Sequence, residues 1–188
     1  MHHCADVVAP IRAEPRDDAE QVTQALRGEP LAVEELRDGW ARVRTAYDYP
    51  GWMREEALAG GDGELPPARA GDPVEEARAY LGAPYLWGGL TEAGIDCSGL
   101  VHMSYRRLGR LVPRDAHEQE AAGLKVAPED ARPGDLVTYG EGDLATHVAF
   151  WLGRGRILHA TERDGPSGVV EEDEPAELTK IRRFLLRL

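Results

Sequence analysis

Sulfur is scarce in this chain: 188 residues hold two cysteines, Cys4 and Cys97. Two such distant thiols make no disulfide framework, and a reducing compartment suits them. Positive charge is also short, since 22 Lys and Arg against 34 Asp and Glu leave a formal net charge of −12. A polyphosphate partner needs a basic face, so no nucleic-acid partner is expected, and unaided adsorption to anionic membranes or wall polymers is disfavoured. No stretch approaches the roughly 18–20 apolar residues that span a bilayer, so no membrane partner is expected either. The opening MHHCADVVAPIRAEP lacks the apolar run of a secretory signal, and the expected location is cytoplasmic. Aromatics are few, 6%, and apolar residues reach 42%, which suits one ordinary domain or two small ones with modest cores.

Glycine and proline cluster in AGGDGELPPARAGDP, residues 59–73, a linker composition stiffened by Pro66 and Pro67. The expected division is a first domain over 1–58, a linker over 59–71 and a second domain over 72–188. The first region carries short alternating runs, EPLAVEEL, DGWARVRTA and YPGWMREEAL, with turn signals at close spacing, as in a small β-barrel. Trp40, Trp52 and Tyr49 are read first as packing residues of that barrel. The order of these runs resembles a bacterial SH3-like domain over most of residues 6–58.

Beyond the linker the pattern changes. Asp72, Pro73 and Glu75 form a helix-start signal, and the helix should reach about Leu81. CSGLVHMSYRRLG has apolar residues at helical spacing with Gly109 as its stop. DAHEQEAAG follows as a short helix capped by Asp115 and Glu118, and then come the strand candidates DLVTY, THVAFWL, RILHA, GVVEE and IRRFLLRL. Helices followed by strands predict an α+β domain with an antiparallel sheet.

Cys97 lies in GIDCSGLV, where loop becomes helix. Unpaired first-turn amides and the helix dipole favour an anion there, so the thiol is expected to ionise more easily than usual. Gly94 and Gly99 are read as giving backbone and substrate close access, and the amides as a cradle for an oxyanion. A thiolate needs a base. His2 and His3 lie at a terminus expected to fray, His102 on the cysteine's own helix, and His117 on a polar, exposed helix, which leaves His147 and His159. If THVAFWL and RILHA pair across Gly153-Arg154-Gly155, Trp151 faces Ile157, and both histidines share one sheet face as diagonal neighbours. The arrangement is then nucleophile, base and orienter. On this geometry alone, a buried cysteine with two satisfied sheet histidines stays an equal alternative.

The ordered blocks PYLWGG…GIDCSGLV, VPRDAHEQ, PGDLV and HVAFWLG…ILHA resemble the NlpC family of papain-like cysteine peptidases over nearly all of residues 72–163. That resemblance implies a papain-like catalytic domain in which Cys97, His147 and His159 form the catalytic triad. It implies hydrolysis of the bond between γ-D-glutamate and an L-diamino acid, diaminopimelate or lysine, in murein peptides. Tyr85 would lie near oxyanion and substrate. An SH3-like domain before a short catalytic domain resembles the enzymes that trim free peptides with an N-terminal L-Ala. There Asp96 and Ser98 would bind the ammonium, and Tyr47 or Tyr49 would wall the cleft. Asp96 also reads as a helix N-cap. The competing readings are a secreted hydrolase of intact wall, a thiol amidase or acyltransferase, and a zinc protein using His147, His159 and Cys97. A thiol at a helix start suits an anion better than a metal, so neither metal nor cofactor is expected. The oligomeric state and the choice of diamino acid stay open.

Overall fold

Alternation of apolar and polar residues in the first third of the chain becomes seven short strands. A computed structural model describes residues 1–163 and 167–188 and divides into two units, Met1–Pro67 and Ala68–Leu188. In the first unit the strands are β1 (His2–Cys4), β2 (Val8–Arg12), β3 (Gln21–Leu26), β4 (Pro30–Arg37), β5 (Trp40–Thr45), β6 (Pro50–Arg54) and β7 (Leu58–Gly60). They form one antiparallel sheet in the order β3-β2-β6-β5-β4-β1-β7. Asp38 and Gly39, both at positive φ (51° and 77°), make the two-residue turn that brings Arg37 opposite Trp40.

Every second residue of these strands turns inward, where Ile11, Leu31, Val43 and Met53 are buried together. Trp40 and Trp52 are also buried, and the guanidinium groups of Arg54 and Arg37 lie 4.3 and 4.6 Å from their ring centres. Packing is therefore their role here. Tyr47 and Tyr49 stand 6.3 Å apart, and the Tyr47 hydroxyl is 3.0 Å from Thr23 Oγ1.

Two expectations change in this unit. His2 and His3 do not fray: they belong to β1, which pairs with both β4 and β7. The stretch expected as linker is held down at both ends. Ala59 and Gly60 continue the sheet as β7, and the Glu64 amide donates to Gly28 O at 2.9 Å. The Arg69 amide donates to Arg107 O at 2.8 Å within the second unit. Gly and Pro content reports turns, and these turns are pinned by backbone hydrogen bonds that composition does not reveal.

The second unit opens with α1 (Pro73–Arg78), where Asp72 Oδ1 accepts from Val74 N at 2.9 Å and proline fills the first turn. The helix stops three residues before the expected Leu81 and continues as a turn. A two-stranded ribbon, β8 (Leu90–Thr91) and β9 (Gly94–Ile95), leads into α2 (Cys97–Arg107). After α3 (Ala116–Ala122), with the expected Asp115–Glu118 capping box, the chain enters its sheet. This comprises β10 (Leu124–Val126), β11 (Leu136–Tyr139), β12 (His147–Gly153), β13 (Arg156–Thr161), β14 (Gly168–Asp173) and, after the short α4 (Ala176–Lys180), β15 (Arg182–Arg187). All pairings are antiparallel, in the order β10-β15-β11-β12-β13-β14. The unit is α+β, as predicted, with α2 packed on β12 and β13. Val148, Phe150, Leu158 and Leu100 are at most 1% exposed, and each such side chain contributes about 1.5–3 kcal/mol by leaving water. That packing seats the head of α2 against the start of β12.

Candidate active site

Cys97 is the first residue of α2 and Asp96 is its N-cap. The cap does more than start the helix. Asp96 Oδ1 accepts from Gly99 N at 2.6 Å, from Arg114 Nη1 at 2.9 Å and from Ser98 Oγ at 3.3 Å. Oδ2 accepts from Gly88 N at 2.7 Å and Arg114 Nη2 at 2.8 Å. Arg114 is 1% exposed and Asp96 5%, so a buried bidentate ion pair stands directly behind the cysteine. Arg114 also donates to Ser98 Oγ at 3.0 Å and Gly89 O at 3.3 Å, and Gln119 Nε2 donates to Ser98 O at 3.0 Å.

Asp96 and Ser98, expected as ammonium ligands, here belong to a hydrogen-bonded cluster behind Cys97. A carboxylate offers about four lone-pair sites, and five donors already converge on Asp96. Its charge is answered by Arg114. The Ser98 hydroxyl donates to Asp96 and accepts from Arg114. The reading of the glycines changes: a Cβ on Gly99 would sit 2.4 Å from Gly89 O, and one on Gly94 would sit 2.6 Å from Leu86 Cβ. They are required by the loop packed against them, not by substrate access.

The two histidines meet as the parity of the sheet demands. Trp151 faces Ile157 and Phe150 faces Leu158, so His147 and His159 share a face. His147 Nε2 lies 2.7 Å from His159 Nδ1, with the rings edge to face. The connection differs from the three-residue loop expected. Gly153 pairs with Arg156 around the two-residue turn Arg154-Gly155, and a register shift between Trp151 and Gly153 absorbs the extra residue. The bulge restores the parity that a loop of even length would have broken. The next strand extends the same face: His159 is opposite Val170 and Ile157 opposite Glu172, and His159 Nε2 lies 2.9 Å from Glu172 Oε1. Arg163 bonds to Glu172, and its Nη1 donates to Glu177 Oε1 at 2.7 Å.

The cysteine sulfur is hydrogen-bonded by the backbone of Val148 and Ser98, which places it beside His147. Burial, and next the Asp96 carboxylate, push the thiol up to about 12. Burial, then the neighbouring His159 and Arg163, push His147 down to about 3. Burial thus favours the uncharged form of both side chains. The dipole argument anticipated an easily ionised thiol; desolvation and an adjoining carboxylate outweigh it. Such a pair can still pass a proton as the sulfur attacks a carbonyl, with the α2 amides as oxyanion donors.

Tyr85 is half-buried and bridges to Ile95. Burial, then Cys97 and Asp96 nearby, raise its hydroxyl above the usual phenol range, so it stays protonated and close to the sulfur. Tyr47 and Tyr49 belong to the first unit. His102 is fully buried, with Nδ1 2.8 Å from Val112 O, and His117 is exposed. Sequence reasoning missed Arg114, Glu172 and Arg163. Arg114 lay in plain view in VPRDAHEQ, but no local signal tied it to Asp96; Glu172 required the register of a third strand.

Residues 82–176 match the NlpC/P60 family and residues 11–58 match the bacterial dipeptidyl-peptidase Sh3 domain. The chain belongs to the NlpC/P60 family. This NlpC/P60 chain is 42% identical over 127 residues to a gamma-DL-glutamyl hydrolase of Bacillus subtilis, covering 63% of the chain and 30% of that protein. It is 29% identical over 153 residues to a gamma-D-glutamyl-L-lysine dipeptidyl-peptidase of Bacillus cereus, covering 77% and 46%. The chain thus spans less than half the length of both. The crystal structure of an NlpC/P60 family protein from Bacillus cereus superposes with a TM-score of 0.58 at 23% identity, over 99% of this chain and 62% of that one. It establishes the fold, an SH3-like all-β region with an α+β papain-like domain.

Proposed function

We propose that the chain is a cysteine peptidase that hydrolyses the γ-D-glutamyl–L-diamino acid bond of free murein peptides bearing an N-terminal L-Ala. The observation that carries the reading is a single cysteine at the head of α2 beside a hydrogen-bonded His147–His159 pair. Cys97 is the nucleophile, His147 the base and His159 its orienter. The thiol proton passes to His147 as sulfur adds to the scissile carbonyl, and the oxyanion is received by backbone N–H groups of the α2 first turn. His147 then protonates the leaving amine, and water hydrolyses the thioester. Tyr85 lies close enough to the sulfur to line the substrate.

The free-peptide part of the reading is supported by relatives. One is named for releasing a dipeptide at a γ-D-glutamyl-L-lysine bond, and the first unit matches a domain named for dipeptidyl-peptidases. A dipeptidyl-peptidase acts from a free amino end, and L-Ala-γ-D-Glu is such a dipeptide. We place this work in the cytoplasm, as recycling of wall fragments.

The test is incubation with L-Ala-γ-D-Glu-diaminopimelate, the lysine analogue and their N-acetylated forms. Cleavage of the free peptides alone is expected, abolished in Cys97→Ala with folding retained. Equal cleavage of acetylated peptides, or activity confined to extracellular fractions, would favour a hydrolase of intact wall.

A further inference from the structure

The reading above leaves one question open: what decides which nitrogen of His147 carries the proton. A base must present a bare nitrogen to the thiol, and a neutral imidazole has one bare nitrogen and one N–H. We propose that Glu172 is a positioning residue whose carboxylate holds His159 in the tautomer that leaves His147 Nδ1 free to accept the thiol proton. The inference rests on the cysteine-peptidase reading.

A chain of hydrogen bonds links the three side chains. An ionised carboxylate only accepts, so at 2.9 Å from Glu172 Oε1 the proton is on His159 Nε2. Burial keeps His159 neutral by depressing it to about 4, so its Nδ1 is bare. That Nδ1 lies 2.7 Å from His147 Nε2, which must therefore carry the hydrogen of this bond. His147, also kept neutral by burial, is left with a bare Nδ1. Without the carboxylate the reverse chain is equally bonded: His159 Nδ1–H would donate to His147 Nε2, and His147 Nδ1 would already hold its proton. That form cannot act as a base toward the thiol.

Glu172 is braced for the task. Arg163 bonds to it and to Glu177, which fixes the carboxylate in place. The Glu172 side chain is 22% exposed while His159 is fully buried, so the anion sits at the edge and its hydrogen bond reaches inward. The other charged or titratable groups around the pair are Asp96 at the head of α2, Tyr139 on β11, Arg163 beyond β13 and Glu177 on α4, which bonds to Arg163. Among the described contacts none of these bonds to His159 Nε2, whereas Glu172 does. When His147 becomes imidazolium during attack, the same carboxylate lies behind it in the chain and stabilises the charge.

Nitrogen-15 NMR of the histidines in the full chain at neutral pH reads the tautomers without any substrate. His147 and His159 should both be protonated at Nε2 and bare at Nδ1, and Glu172→Gln should populate the reverse form. With the murein tripeptide, Glu172→Gln should lower kcat on the order of 10- to 100-fold, leave KM within about twofold, and move the acid limb of the kcat/KM profile to lower pH. The base loses its supporting anion and becomes weaker. Glu172→Asp should recover most of kcat. A wild-type His159 protonated at Nδ1, or a Glu172→Gln variant with unchanged kcat and acid limb, would overturn the assignment. Activity surviving in Cys97→Ala would instead sink the peptidase reading, while the NMR result would still decide the tautomer.

Discussion

Arg114 holds both oxygens of Asp96 from a position that is almost entirely out of water. A buried ion pair gains little over well-packed apolar residues, but removing one member strands the other. Arg114→Gln should therefore destabilise the chain by about 3–5 kcal/mol, and a following Asp96→Asn should restore part of that loss. Urea denaturation of both single variants and the double variant gives the coupling; additive losses would show that the pair is not a unit. Asp96 as a helix cap was legible in the sequence, because a cap is a local matter. Its partner was not, because the two lie eighteen positions apart and no spacing rule brings them together. The same limit applied to Glu172. His159 could be reached by counting across one tight hairpin, whereas ERDGPS, residues 162–167, carries turn signals that leave the register of the next strand open.

Between residue and whole stands the β12–β13 hairpin, which brings the two histidines together. Its turn has both residues at positive φ, Arg154 at 54° and Gly155 at 74°, the pattern that matches the twist of paired strands. Glycine is at ease there; arginine is not, and a side chain with a Cβ in the left-handed region costs about 1–2 kcal/mol. Asparagine tolerates that conformation better. Arg154→Asn should raise the unfolding free energy by up to about 1 kcal/mol with activity unchanged, seen as a higher Tm in thermal melts. A lower Tm would show that the arginine makes a compensating contact. Helix starts, the strand set and the antiparallel sheet were readable because each rests on local periodicity or capping. The bulge near Leu152 was not, since a three-residue loop and a two-residue turn with a bulge use the same residues and preserve the same face.

Across the whole molecule, acid should be its weak side. Burial holds His102 and His147 down to about 3 and His159 down to about 4. In the unfolded chain each protonates near its ordinary value of about 6.5. Between those limits unfolding takes up protons, so stability falls as pH falls, by about 1.4 kcal/mol per pH unit for each fully neutral histidine. Tm should be steady between about pH 7 and 8 and drop steeply from about pH 6.5 downward. His102→Gln should lower Tm at pH 7 but flatten the descent, because one proton fewer is taken up. Melts at pH 7.5, 6 and 5 compare the slopes, and identical slopes would remove His102 from this account. The order of helix and strand patterns pointed to the right fold class at this scale, but the burial that sets these slopes is a property of packing and is not written in any local pattern.

The buried Cys97 also bears on durability. Peroxide attacks thiolates, and the burial of Cys97, a residue 6% exposed, disfavours that form. The nucleophile proposed here is sheathed until a carbonyl arrives and His147 draws off its proton. Its working life under oxidative stress should then be limited by how often it is engaged with substrate, not by how long it waits.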